Sequence, residues 1–174
     1  MQRTLYTDMI RSAADAHGLD PDLVEAVVIK ESSGNSWAWN PEPKYRYLWD
    51  VRTGKPFRAL SGTEIASETP PPDFPTLAGD RDQEWWGQTA SWGLMQTMGS
   101  VARERGFTGA FLTALCEPQT GLRYGCLHLA HLLSWAKGDR SKALSAYNAG
   151  FAPSAQGAAY ATAVLRIYDQ LTHS

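Results

Sequence analysis

Glu31 is the residue least in keeping with its neighbours. It ends the segment "LVEAVVIKES", in which Val24, Val27, Val28 and Glu31 fall on one stripe at about 100° per residue, while Glu25 and Lys30 point elsewhere. A carboxyl on an apolar stripe loses hydration, which disfavours its charged form and raises its pKa. An acid that stays protonated near neutral pH can deliver a proton to a leaving oxygen. Glycosidic bonds need that help, because the departing alkoxide is poor until protonated. The same position also suits a carboxyl that snorkels out at the last helical turn with its tip in water. The stripe alone leaves both readings open.

Trp37, Trp39, Trp49, Trp85, Trp86 and Trp92 offer flat apolar faces, each with an N–H at its edge. Such surfaces suit sugar rings, whose C–H faces stack while hydroxyls and amides seek partners. Some of them are equally well read as staples of a segment with little helix of its own. "GLMQ" (93–96) and "AYNAG" (146–150) are weak by themselves. The first supplies a small residue, two apolar residues and an amide. In the second, Tyr147 serves as a core residue and Asn148–Gly150 as a helix end. His17, His128, His131 and His173 are scattered without ligand spacing beside the cysteines, so neither metal nor cofactor is implied.

These residues must be positioned by helices. Residues 4–17 have Leu5, Met9, Ile10, Ala13 and Ala16 spaced for one face. "HGLDPDL" stops that helix at Gly18 and starts the next, with Asp20 as N-cap, Pro21 in the first turn and Asp22 at the positive dipole end. The second helix carries Glu31 and ends at Gly34. Trp37 to Trp92 then holds six of the seven tryptophans and seven of the ten prolines, with turn signals at "TGKP", "SGTE" and "TPPPDFP". This composition predicts an ordered, mostly irregular insertion that walls a groove, with a short hairpin around "RYLWDVRTGKPFRAL". Helical texture returns at "GLMQTMGSVARERG", in a short helix over 109–115, and in a long one from Glu117–Pro118 that buries Leu122, Cys126, Leu129 and Leu133. "DRSKALSAYNAG" and residues 153–172 form the last two. The expectation is one all-α domain over 1–174, interrupted by a large aromatic insertion at 37–92.

Composition excludes some classes. With 174 residues, 43% hydrophobic and 20% charged, the chain has enough for one domain with a core and is not disordered. Net charge of −2 without a basic run argues against a nucleic-acid partner. No stretch approaches the roughly 20 apolar residues that span a bilayer. "MQRTLYTDMIRSAADAHGLD" shows no continuous apolar core of a signal peptide. Cys116 and Cys126 make no disulfide framework, and two reduced buried thiols are the favoured reading over a pair across a helix corner.

Taken in order, "ESSGN" (31–35), "SWGLMQTM" (91–98), "EPQTGLRYGCLHLAHLL" (117–133), "ALSAYNAG" (143–150) and a terminal helix containing Tyr160 resemble the lytic transglycosylase (SLT domain) family of the lysozyme superfamily. The likeness covers most of the chain and is nearest to phage and prophage members. It implies an α+β lysozyme-like fold and no cofactor. By that resemblance Glu31 is the catalytic acid/base, Gln96 and Met98 line the cleft, and Tyr147 faces the glutamate and the N-acetyl group. Asn148 helps to fix that turn, and Ser32 is a structural hydrogen bonder. The chain departs from the pattern at Ser36, where proline is common, and in the length of the insertion. Where relatives carry a serine or aspartate ahead of Gly-Leu-Met-Gln, the same offset lands on Gly87, with Ser91 or Glu84 as candidates for that place. Ser91 and Trp92 complete the expected substrate-binding set.

The implied substrate is the β-1,4 bond between N-acetylmuramic acid and N-acetylglucosamine in peptidoglycan, cleaved by a monomer to 1,6-anhydromuramyl ends at the bacterial wall, in the periplasm or delivered by a virion. A lysozyme-type hydrolase acting as a phage endolysin is the alternative, with Asp80, Asp82 or Glu84 positioning water. A non-catalytic wall-binding or virion module is another.

Overall fold

The protein is described by a computed structural model that covers residues 2–67, 69–77 and 79–173. In chain order its elements are α1 (Thr7–Ala16), α2 (Pro21–Ser32), β1 (Trp39–Pro41), β2 (Trp49–Asp50), β3 (Lys55–Pro56), α3 (Gly62–Ala66) and α4 (Arg81–Gln88). Then come β4 (Ala90–Trp92), β5 (Thr97–Met98), α5 (Gly99–Glu104), a 3₁₀ turn (Leu112–Cys116), α6 (Pro118–Trp135), α7 (Arg140–Ala149) and α8 (Ala155–Thr172). Among the described residues no helix is long and apolar enough to cross a membrane.

The centre of the fold is α2. Asp20 caps it, its side chain accepting the Asp22 N–H at 3.0 Å, and Pro21 occupies the first turn. α1 and α8 pack against it, so every residue from Leu23 to Val28 is buried. That enclosure overturns one expectation. Glu25, read as pointing away from the core, is 0% exposed, and its Oε1 accepts the Thr4 N–H at 2.7 Å. A one-stripe argument assumes one wet face, and a helix covered on several sides has none over this stretch. The helix ends where Ser33 and Gly34 turn left-handed, at φ 53° and 80°.

α1 is shorter than the periodicity predicts. It begins at Thr7, so Leu5 lies outside the helix and fully in solvent, and Met9 is also exposed; Ile10 and Ala14 carry the contact. The main core joins Leu23, Val27, Leu94, Leu129, Leu144 and Val164 from five segments of chain. Burial of each such side chain stabilises by about 1.5–3 kcal/mol. Cys116 and Cys126 are buried free thiols, and burial pushes the Cys126 pKa up to about 12.

The insertion is more regular than its prolines suggest. β1, β4 and β5 form an antiparallel sheet in the order β1-β4-β5, with Trp39 opposite Trp92 and Ser91 opposite Met98. β2 and β3 form the expected hairpin. α3 carries a capping box between Ser61 and Glu64, and α4 is capped by Asp80. Leu48, Phe74 and Trp85 make a small separate core, with Phe74 and Trp85 edge-on at 5.0 Å.

A buried ion pair ties this region to the helices. Arg103 of α5 donates to both Glu84 oxygens of α4 at 2.9 and 2.7 Å, and to the Phe107 and Gly109 carbonyls. Gln88 adds a bond to Glu84 and exchanges two with the Trp49 backbone.

The predicted helix over "GLMQTMGSVARERG" is split. Gly93 (φ 70°) and Gln96 (φ 46°) reverse the chain, residues 97–98 become strand, and helix starts only at Gly99. Gly93 is required here, because a Cβ would lie 2.3 Å from the Leu115 carbonyl oxygen.

Candidate active site

Glu31 stands on the last turn of α2, half-buried. The phenol of Tyr160, on α8, donates to Glu31 Oε1 at 2.5 Å. Loss of hydration raises the Glu31 pKa above the ordinary carboxylate value; the Tyr160 hydrogen bond and the charge of Lys30 oppose that rise. Tyr160 is itself pushed well up, first by burial and then by the Glu31 charge, so it remains a donor at any working pH.

Tyr147 lies behind Tyr160, the two rings stacked at 6.5 Å and 11°. Its hydroxyl donates to the Met95 carbonyl at 2.7 Å, and burial with the Glu31 charge raises its pKa too. Next to it, the ring of His128 is 5.3 Å from Tyr147. Burial and the nearby Arg105 and His131 push His128 down to about 3, so it is a neutral imidazole.

Ser32 and Gln96 bind the site to the insertion. The Ser32 hydroxyl meets the Leu94 carbonyl at 2.8 Å and the Val28 carbonyl at 3.2 Å, and accepts the Gly34 N–H. The Gln96 amide donates to the Ala38 and Gly93 carbonyls at 3.0 and 2.9 Å, while its oxygen accepts from Ser91 at 3.0 Å. Its polar contacts are therefore internal, and they clamp the turn that carries Leu94 and Met95. Met98 is half-buried on β5. Asn148 is exposed and, with Lys30, Gln156, Ala159 and Tyr160, lines a polar hollow of about 320 Å³. Trp92 lies elsewhere: its indole N–H is held by the Gly87 carbonyl at 2.9 Å, and its ring lines a larger cavity that neither Glu31 nor Tyr160 lines.

The structure thus joins Glu31, Ser32 and Tyr147 around the Leu94–Gln96 turn and sets Trp92 apart from them. Gly87 carries no side chain for the serine or aspartate role, and its hydrogen-side space is filled by Leu112. Glu84 is enclosed by Arg103. Asp80 caps α4, and Asp82 is exposed. Among the described residues, no group of three or more His, Cys, Asp or Glu side chains is arranged to hold a metal ion.

Tyr160 is the contact that sequence reasoning did not assign to Glu31. A signal for it exists: Gly157, Tyr160, Ala161, Val164, Ile167 and Leu171 share the buried stripe of α8. A tyrosine on a dry stripe needs a partner for its hydroxyl.

No curated protein matches this chain. An X-ray structure of an inactive mutant of the lytic transglycosylase Slt from Pseudomonas aeruginosa superimposes with a TM-score of 0.61 over 97% of the chain, at 19% identity. The chain spans 24% of that protein, about a quarter of its length. The match establishes a common, mainly helical α+β lysozyme-like fold. A family model for the transglycosylase SLT domain matches residues 8–167, nearly the whole chain. With its Glu31 on the central helix and its Gly-Leu-Met-Gln turn bonded to that helix end, the chain belongs to the transglycosylase SLT domain family.

Proposed function

We propose that this chain is a peptidoglycan lytic transglycosylase in which Glu31 is the single acid/base. The observation that carries the reading is the Glu31 carboxyl itself, desolvated at a helix end and held by Tyr160. In its neutral form Glu31 protonates the glycosidic oxygen between N-acetylmuramic acid and N-acetylglucosamine. The acetamido oxygen of the substrate stabilises the oxocarbenium ion that forms as the bond breaks. Glu31, now ionised and still accepting from Tyr160, takes the proton of the muramyl 6-hydroxyl. That oxygen attacks C1 and closes a 1,6-anhydro ring. No water is consumed, and the proton that Glu31 gave is restored.

The remaining residues take supporting places in this reading. Ser32, Gln96 and Ser91 hold the turn against the helix end. Tyr147 backs Tyr160, Met98 borders the cleft, and Asn148 lines the hollow beside Tyr160. The catalysed reaction belongs at the bacterial wall, on glycan strands, with no cofactor. A hydrolytic course needs a second carboxylate to place water. Of the three nominees, Glu84 is occupied by Arg103, Asp80 caps α4 and Asp82 is exposed, and none of them lines the hollow beside Tyr160, which favours the transglycosylase course.

Digestion of purified sacculi followed by mass spectrometry tests the proposal. Anhydromuramyl ends are the expected product. Reducing muramyl ends would assign the chain to hydrolysis, and wall clearing that survives Glu31→Gln would remove Glu31 from the chemistry.

A further inference from the structure

One cavity lies apart from Glu31, between the insertion and the 3₁₀ turn. It measures about 380 Å³ and is walled by Trp39, Trp86, Trp92 and Phe111. Three of these rings are unusually open: Trp39 is 57% exposed, Trp86 43% and Phe111 53%. Scattered exposed apolar residues are ordinary, but several large rings around one hollow mark a recognition site. The walls are also set. Trp92 is fixed through its indole N–H to Gly87, and its ring stands 6.0 Å from that of Trp39, tilted by 33°.

Two polar groups at the rim have capacity left over. Asp80 uses Oδ1 to cap α4, whereas no partner of Oδ2 is present among the described residues. The side-chain amide of Gln83 has none either, so an acceptor and an amide face the same hollow. No Lys, Arg or His lines it, which disfavours an anionic ligand. Aromatic faces for C–H surfaces, with a carboxylate and an amide for hydroxyls and an acetamide, describe a neutral pyranose rather than a lipid or a nucleic acid.

We propose that this cavity is a second saccharide-binding site, distinct from the Glu31 cleft, that holds an N-acetylated amino-sugar unit of a glycan strand. The choice of amino sugar rests on the reading of Glu31 given above. The two sites share the β1–β4 pair. Successive strand residues face opposite sides, so Trp39 and Trp92 serve the cavity while the next pair, Asn40 and Ser91, turns the other way, where Ser91 bonds Gln96. A strand held here is kept close to the catalytic acid between cleavage events.

The test is a titration of ¹⁵N-labelled full-length Glu31→Gln protein with triacetylchitotriose, read by heteronuclear NMR. Saturable shifts of the Trp39, Trp86 and Trp92 indole N–H signals are expected, with their own binding curve. Trp86→Ala combined with Phe111→Ala weakens that curve by roughly tenfold, the worth of a lost aromatic wall. Gln83→Ala, at an exposed helix position, weakens it without touching the apolar walls, and signals around Lys30 and Tyr160 keep their affinity in both variants. Shifts confined to the Tyr160 side overturn the inference, as does an indole response to the free stem peptide but not to the sugar. Neither result bears on Glu31, which the product analysis of the unmutated protein judges separately.

Discussion

At the scale of single residues, the Glu31–Tyr160 contact joins two opposed influences on one proton. Burial holds it on the carboxyl, and the phenol stabilises the ion left when it goes. Glu31→Gln keeps the size and an acceptor for Tyr160 but removes the acid, so turnover of sacculi should fall by about 10²–10⁴. Tyr160→Phe removes the interaction that lowers the Glu31 pKa. The alkaline limb of the kcat/KM profile should therefore move to higher pH, with a reduced maximum because the ionised carboxylate loses its donor. A limb that moves downward would mean that Tyr160 does not stabilise the ion. Glu31 was legible in the sequence because its stripe needs only helical geometry. Tyr160 was not, because its partner is 129 residues away and only packing brings α8 onto α2.

At the scale of elements, the reacting residue depends on joints between the helices and the insertion. Arg103 and Glu84 are 1% and 3% exposed in their side chains, so removing one strands the other in a dry interior. Arg103→Met should destabilise by about 3–5 kcal/mol in urea unfolding, whereas replacing both partners with apolar residues of similar volume should recover much of that loss. The Gly-Leu-Met-Gln turn is the second joint. Gly93→Ala combines an unfavourable φ with a clash against the Leu115 carbonyl, and should cost about 2 kcal/mol or more, read as a lower denaturation midpoint. The helices α6, α7 and α8 were plain in the sequence from their starts and stops. The turn was not, because Leu94, Met98 and Val101 mimic a helical period while Gly93 and Gln96 take left-handed conformations that periodicity does not register.

For the molecule as a whole, the raised Glu31 pKa links folding to pH. A carboxyl that binds its proton more tightly when folded contributes stability that is fully present below its unfolded value, near 4.5, and lost as pH rises through the folded value. Glu31→Gln should therefore match the unmutated protein in Tm well below pH 4.5, gain on it as pH rises from there to the folded pKa, and keep a constant advantage above it. Equal melting temperatures across that range would show a carboxyl that is solvated in the folded state. The family assignment, resting on the family model that matches residues 8–167, does not depend on this outcome.

The chain's order of motifs, its capped helix starts and the apolar stripe bearing Glu31 were determined by local chemistry: each needs only neighbours within a few residues, and propensity and periodicity act at that range. The enclosure of Glu25, the pairing of Glu84 with Arg103, the reach of Tyr160 to Glu31 and the ring of aromatics around a second cavity were decided by tertiary structure alone. Each brings together groups far apart in the chain, and whether a polar atom finds a partner depends on which surfaces meet when the helices pack.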